Sequence, residues 1–318
     1  MREFDLIRVL TRRLRAARAD THLALGDDAA VLAPPAGHEL VVSTDTLVAG
    51  RHFPRDAHAA DIGFKALAVS LSDVAAMGAE PAWATLALTL PELDSTWCKA
   101  FVEGLLQAPG AARVDIVGGD TTRGPLSVTT TVFGLVPAGT AVRRSGAQAG
   151  DLLCVTGTLG DAALGLRLWQ ARPRMRENAH AQWLWQRLHR PQWRRGSALR
   201  GRAHAAIDIS DGLLADAGHI LVASGCGARI QAAALPCSPA FAALCPQADR
   251  HALQLAGGDD YELCIVVPRA AQAALAAQLD CPLTVIGVIE AQPGLSVVDA
   301  AGAPLPTGAY PGWDHFRS

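Results

Sequence analysis

Lysine is nearly missing from this chain: among 318 residues it occurs only as Lys65 and Lys99, and every other strongly basic side chain is arginine. Neither lysine stands in a GxxxxGK[ST] context, which excludes a Walker A phosphate loop. Aromatic residues make up only 5%. No apolar run reaches the roughly 20 residues that a bilayer-spanning helix needs. The opening stretch MREFDLIRVLTRRLRAARAD is too densely charged for the apolar centre of a secretory signal, so a cytoplasmic protein is expected. The seven cysteines (Cys98, Cys154, Cys226, Cys237, Cys245, Cys264 and Cys281) show neither CxxC nor a His-paired zinc spacing. They are expected to be reduced, mostly structural thiols. A formal net charge of -2 supplies no global field for nucleic acid, and neither a nucleic-acid nor a membrane partner is expected.

What is present is a globular α/β composition, with 50% hydrophobic residues and plentiful alanine and glycine. The length suits two domains that each bury a core. The turn-rich stretch PAGTAVRRSGAQAG marks the boundary. It gives an N-terminal domain over 1–137, a connector over 138–150 and a C-terminal α/β domain over 151–318.

Periodicity places the elements. Phe4, Ile7, Leu10 and Leu14 predict an amphipathic helix over 2–18. Strands are predicted at 29–33, 39–44, 83–90, 113–117 and 126–136, the last two separated by the polar turn GGDTTRGP. A helix from Asp61 to Met77 carries Ile62, Leu67, Leu71 and Val74 on its core face and Gly78 as its stop. Asp73 sits in its last turns, where a carboxylate opposes the helix dipole, so a functional reason is sought for it. A second helix over 95–107 reads as structural. Further on, strands are predicted at 152–156, 206–210, 230–235, 264–267 and 283–289, and helices at 162–170, 212–223 and 270–278. Residues 171–204, with Trp183, Trp185 and Trp193, read as mixed helix and loop whose tryptophans pack between helices, and no function attaches to them.

Acidic turns recur. The apolar run at Val41 is read as a strand ending in Ser43, Thr44 and Asp45, just before a glycine turn and Arg51-His52. Similar tips are LGDD at 25–28, DIVGGDTT at 115–122, AIDISDG at 206–212 and AGGDDYE at 256–262. Any one of them could be simple turn geometry. If they converge, carboxylates about 4 Å apart repel by roughly 4 kcal/mol per pair at an effective dielectric near 20, and cations must hold them together. Hard oxygen donors without a His or Cys cluster suit Mg2+ or Mn2+ and argue against zinc. Mg2+ commonly completes its shell with water and substrate phosphates, which points to nucleotide phosphoryl chemistry. Gly118-Gly119 and Gly257-Gly258 would let backbone amides approach phosphate oxygens, and Arg143 and Arg144 are candidates for the cationic side. Ser210, between Asp208 and Asp211, has neither a GxSxG elbow nor an identifiable His partner, so a hydrolase nucleophile is disfavoured.

The ordered motifs GDDAAVL, STDTLVAGRHF, KALAVSLSDVAAMGAEP, GGDTTRGP, RSGAQAGD, VTGTLGDAALGL, AIDISDGL, GGDDYELC and GWDHF resemble the thiamine-monophosphate kinases, a family of the aminoimidazole ribonucleotide synthetase superfamily. The resemblance implies a two-domain PurM-like α/β (α+β) fold with an N-terminal dimerising sheet domain, a C-terminal α/β domain and an ATP site at the cleft. It implies transfer of the ATP γ-phosphoryl group to thiamine monophosphate with several Mg2+ ions, in a homodimer. Carried across, Asp28, Ser43, Thr44, Asp45, Asp73, Asp120, Asp208 and Asp211 look like metal ligands, with Asp45, Asp73, Asp120 and Asp208 central to catalysis. Gly119, Asp120, Arg144 and Ser210 look like nucleotide contacts, and His52, Asp259 and Trp313 like substrate contacts. Trp313 could stack on the thiamine rings or pin the C-terminal tail to the core. Two positions depart from the family habit: Asp259 stands where glutamate is common, and Trp313 where tyrosine is. The rivals are another ATP-using synthetase of the superfamily and a non-catalytic Mg-nucleotide regulator. A hydrogenase-maturation dehydratase would end in a reactive cysteine where this chain reads HFRS, and a selenophosphate synthetase would carry a cysteine or selenocysteine in a glycine-rich N-terminal stretch.

Overall fold

Burial that alternates along long strands builds the first half of the structure. The computed structural model describes residue 14 and residues 16–169 and 172–306, in two units: residues 1–75 with 79–141, and residues 76–78 with 142–318. Most of the predicted helix over 2–18, and Trp313 in GWDHF, lie outside the described residues.

In the first unit, β1 (Thr21–Leu23) pairs with β2 (Val31–Leu32), while β3 (His38–Val48), β4 (Glu80–Leu90), β5 (Asp115–Arg123) and β6 (Ser127–Pro137) form one sheet in the order β3-β6-β4-β5. Only β4 and β5 run parallel in that sheet. The helix Ala59–Ala76 lies against it, with Ile62, Leu67, Leu71 and Val74 all buried as their spacing predicts. Its Ser70 hydroxyl donates to the Thr130 carbonyl of β6 at 3.4 Å. The helix Ser95–Gln107, capped by Asp94, packs closely on the first helix at two glycines, Gly63 and Gly104. A Cβ on Gly104 would fall on the Ala60 carbonyl, and one on Gly63 on the Phe101 carbonyl. Gly104→Ala is therefore expected to cost on the order of 2–3 kcal/mol by overpacking, read as a lowered Tm; an unchanged Tm would show that the two helices separate freely. Asp115 fixes the segment that leads into β1: its carboxylate accepts from the Ala17 and Arg18 amides at 2.8 and 3.0 Å and from the Thr21 hydroxyl at 2.7 Å.

The second unit holds β7 (Leu152–Thr156), β8 (Ala205–Asp208), β9 (Gly227–Gln231), β10 (Leu263–Val267), β11 (Leu283–Glu290) and β12 (Gly294–Val298) in the order β12-β9-β11-β7-β10-β8. Its middle is covered on both faces. Cys264 and Val266 join one core cluster with the helix Leu213–Ser224, and Leu263, Ile265 and Val267 join another with Leu199 and Leu275. Two-sided burial explains why β10 reads LCIVV without a polar residue. All seven cysteines are free thiols, and no helix among the described residues is long and apolar enough to cross a membrane.

Several predicted boundaries move. Ser43, Thr44 and Asp45 lie inside β3, not at its tip, because β6 pairs with β3 along its whole length. GGDTTR is likewise strand, paired with β4, and only the residues between β5 and β6 turn. The strand predicted at 230–235 instead runs Gly227–Gln231 and gives way to a 3-10 turn, Ala232–Ala234. The helix predicted at 270–278 is confined to Gln272–Ala276, and β1 and β12 have no predicted counterpart. Residues 171–204 contain the helices Arg172–Met175 and Ala179–His189.

Candidate active site

Strand alternation decides which candidate side chains meet in the first unit. Ser43 and Asp45 point from β3 towards the helix Ala59–Ala76, where the Ser43 hydroxyl donates to Asp73 Oδ2 at 2.5 Å. Asp45 lies beside Asp73 and the Ser70 side chain. Burial first, and then the charge of Asp73, push the Asp45 carboxyl up to about 6. Its Oδ2 is buried with no hydrogen-bond partner. An orphaned carboxylate oxygen beside a second carboxylate and a serine is a donor set that a hard divalent cation would satisfy. Asp73, singled out by its unfavourable position on the helix dipole, is brought against Ser43 and Asp45. Ser70 was missed; its signal was its place one turn before Asp73 on the same helix face.

The other first-unit candidates lie elsewhere. Thr44 projects from the opposite face of β3, where its hydroxyl meets that of Thr131 at 2.9 Å, as Thr46 meets Thr129. Asp45 pairs with Thr130, Thr130 with Leu86 and Leu86 with Gly119, so Gly119 and Asp120 lie level with Asp45 but on the far edge strand. With β6 and β4 between them, the separation is about 14 Å, three strand spacings. Asp28 is exposed, its amide turned to its neighbour Asp27 at 2.8 Å. His52 follows β3 in a turn: its Nδ1 accepts from the Val48 amide at 2.9 Å, and its carbonyl accepts from the buried Lys65 ammonium at 3.0 Å.

In the second unit the two acidic loops meet. The β8–β10 ladder continues past the strand ends: Ile209 N–H donates to the Glu262 carbonyl, Tyr261 N–H to the Ile209 carbonyl and Asp259 N–H to the Ser210 carbonyl, each at 2.8 Å. These bonds bring Asp208, Ser210, Asp211 and Asp259 to one end of the sheet. Asp259 and Tyr261 adopt φ of 62° and 51°, a region side chains rarely enter, and Gly258 precedes them at 65°. Asp216, missed in the sequence, receives the amides of Ser210, Asp211 and Gly212 on one oxygen at 3.0, 3.1 and 3.1 Å and so shapes the loop. Burial first, and then the Asp211 charge, push its carboxyl up to about 7. Arg144 is exposed, and its carbonyl accepts from the Ser224 hydroxyl at 3.3 Å. Among the described residues no group of three or more His, Cys, Asp or Glu side chains forms a cage that could hold a metal alone.

The family comparisons agree with this architecture. The AIR synthase related protein N-terminal domain matches residues 26–136, and its C-terminal domain matches residues 148–300. The thiamine-monophosphate kinase of Salmonella typhimurium (strain LT2) is 49% identical, over 99% of this chain and 98% of that relative. The crystal structure of thiamine-monophosphate kinase from Stenotrophomonas maltophilia K279a superposes with a TM-score of 0.85 at 47% identity, covering 95% of this chain and 96% of that one. AaThiL complexed with AMPPCP and TMP superposes with a TM-score of 0.78 at 31% identity, covering 99% of both chains. Two matched domains spanning most of the sequence, and near-complete alignment at almost half identity, place this chain in the thiamine-monophosphate kinase family of the AIR synthase related proteins.

Proposed function

We propose that the chain phosphorylates thiamine monophosphate with ATP, giving thiamine diphosphate and ADP, in the cytoplasm and with Mg2+. The observation that carries the metal part is the buried, unpartnered Asp45 Oδ2 beside Asp73. The AaThiL complex with AMPPCP and TMP supports the substrate pair. Bound Mg2+ would neutralise phosphate charge and let two anionic substrates approach. Ser43, Asp45 and Asp73 would hold it in the first unit, and Asp208 and Asp211 would do so in the second. Asp28, Thr44 and Asp120 are further candidate ligands, Thr44 only through its main chain since its hydroxyl is turned to Thr131. Gly119, Arg144 and Ser210 would bind nucleotide, and His52, Asp259 and Trp313 the acceptor. The protein's own work is alignment, because phosphoryl transfer needs little covalent help.

The test is ADP and thiamine diphosphate formation from Mg-ATP plus thiamine monophosphate. Free thiamine and an EDTA-treated sample serve as controls. Turnover of the monophosphate that needs metal is expected; Mg-ATP binding without turnover would favour the regulator instead.

A homodimer belongs to the same proposal. The outer face of β3 exposes Leu40 and Val42, at 49% and 53%, next to the Thr44–Thr131 and Thr46–Thr129 pairs. A flat apolar strip on an edge strand is a surface that a second copy would cover. Leu40→Lys with Val42→Lys is expected to yield a monomer by light scattering. A wild-type monomer would remove the proposal.

A further inference from the structure

Residues 171–204 take no part in the reaction as proposed, yet they send two guanidinium groups beneath the Gly257–Tyr261 turn. Arg187 comes from the helix Ala179–His189 and Arg194 from the stretch after it, with side chains only 5% and 10% exposed. Both reach Glu262, whose side chain is fully buried just before β10. Arg194 grips it as a fork: Nε donates to Oε2 and Nη2 to Oε1, each at 2.6 Å. Arg187 Nη2 adds a bond to Oε1 at 3.1 Å and reaches the Asp260 carbonyl at 3.5 Å. Thr156 completes the set, donating to Oε2 at 2.7 Å. Gly157, at φ 55°, leaves room for this cluster, since a Cβ there would fall on Glu262 Oε1. On the other side of Tyr261, the Asp260 carboxyl receives the Gly160 amide on both oxygens at 3.1 and 2.9 Å.

The residues flanking Tyr261 are therefore anchored from below. Between and before them, Asp259 and Tyr261 hold left-handed conformations and bond the Ser210 and Ile209 carbonyls. Backbone in such regions persists only where its surroundings over-determine it. We propose that Arg194, assisted by Arg187, is a positioning residue: by fixing Glu262 it holds Asp259 beside Ser210 and so sets affinity for the phosphoryl acceptor. The inference rests on the kinase reading above, in which Asp259 contacts the acceptor.

The test uses the full-length protein with Mg-ATP and thiamine monophosphate, comparing wild type, Arg194→Lys and Arg187→Lys. Lysine keeps the charge but offers a point where arginine offers a fork. Arg194→Lys is expected to raise KM for thiamine monophosphate about tenfold while KM for ATP stays within about twofold, a loss equal to one charge-assisted hydrogen bond. Amide exchange in 257–262 should quicken, with exchange in 127–137 unchanged. Unchanged KM values, or a loss of rate that tracks only the loss of folded protein, would overturn the inference. Should Arg194→Lys fail to fold, Arg187→Lys gives the same reading at smaller amplitude; failure of both reduces the cluster to core packing and also overturns it. A wild type that does not turn over thiamine monophosphate refutes the kinase reading itself, and the exchange comparison still decides whether Arg194 fixes the turn.

Discussion

Asp45→Asn is expected to lower the rate of phosphoryl transfer on the order of 1000-fold while the protein remains folded. The substitution keeps the shape of the side chain but removes the charge from a carboxyl whose buried Oδ2 has no hydrogen-bond partner. A metal ligand at a phosphoryl-transfer site contributes several kcal/mol to the transition state, and about 1.4 kcal/mol corresponds to each tenfold in rate. The same change should raise the stability of the protein in EDTA by about 1–2 kcal/mol, because it removes a buried charge and relieves its repulsion from Asp73. Activity and stability would then move in opposite directions from one substitution. Initial rates in saturating Mg-ATP and urea melts in EDTA check the two halves. Asp73→Asn should behave alike in rate, with the Ser43 bond to its Oδ2 as a further readout of local order. A variant with wild-type turnover would remove Asp45 from the metal site.

Glu262→Ala carries the largest expected cost in stability, about 3–5 kcal/mol, the usual penalty for breaking a buried ion pair by removing one partner. Glu262 gathers Arg187, Arg194 and the Thr156 hydroxyl, and two of these are buried cations that would lose their strongest acceptor. Asp161 lies 3.9 Å from Arg187 but is already bonded to Ser238 and Thr158, so it is a poor substitute. Burial pushes the carboxyls of Asp161 and Asp260 upward, which weakens both as compensating anions. Glu262→Gln, which keeps the volume and one acceptor oxygen, should fall between wild type and alanine. Urea unfolding orders the three proteins. An alanine variant as stable as wild type would mean that water replaces the carboxylate.

Part of the candidate site was legible, and the rest was hidden for identifiable reasons. Asp73 announced itself because a carboxylate near a helix C-terminus works against the dipole. The apolar β10 run and the spacing of Ile62, Leu67, Leu71 and Val74 reported burial directly. STDT and GGDTTR were misread as tips because threonine, glycine and aspartate resemble turn chemistry. In fact the ladders with β6 and β4 run straight through these residues, and polar side chains occupy both the exposed face of β3 and the side turned to the helix without ending the strand. Arg187 and Arg194 could not be read at all: their carboxylate partner lies more than sixty residues along the chain, and no local pattern marks the pair. Trp313 lies outside the described residues, so its proposed role rests on the motif alone.

The two-faced strand β3 also constrains how this gene can change. Ser43 and Asp45 serve the cluster with Asp73, while Leu40, Val42, Thr44 and Thr46 line the outer face, and β6 pairs with the strand throughout. Adding or deleting one residue would exchange the two sets, sending both acidic and apolar side chains to the wrong side at once. Substitutions can tune either face separately, but a single-codon insertion or deletion there would damage the candidate metal site and the proposed dimer face together. This strand is therefore expected to keep a constant length while the loops around it vary.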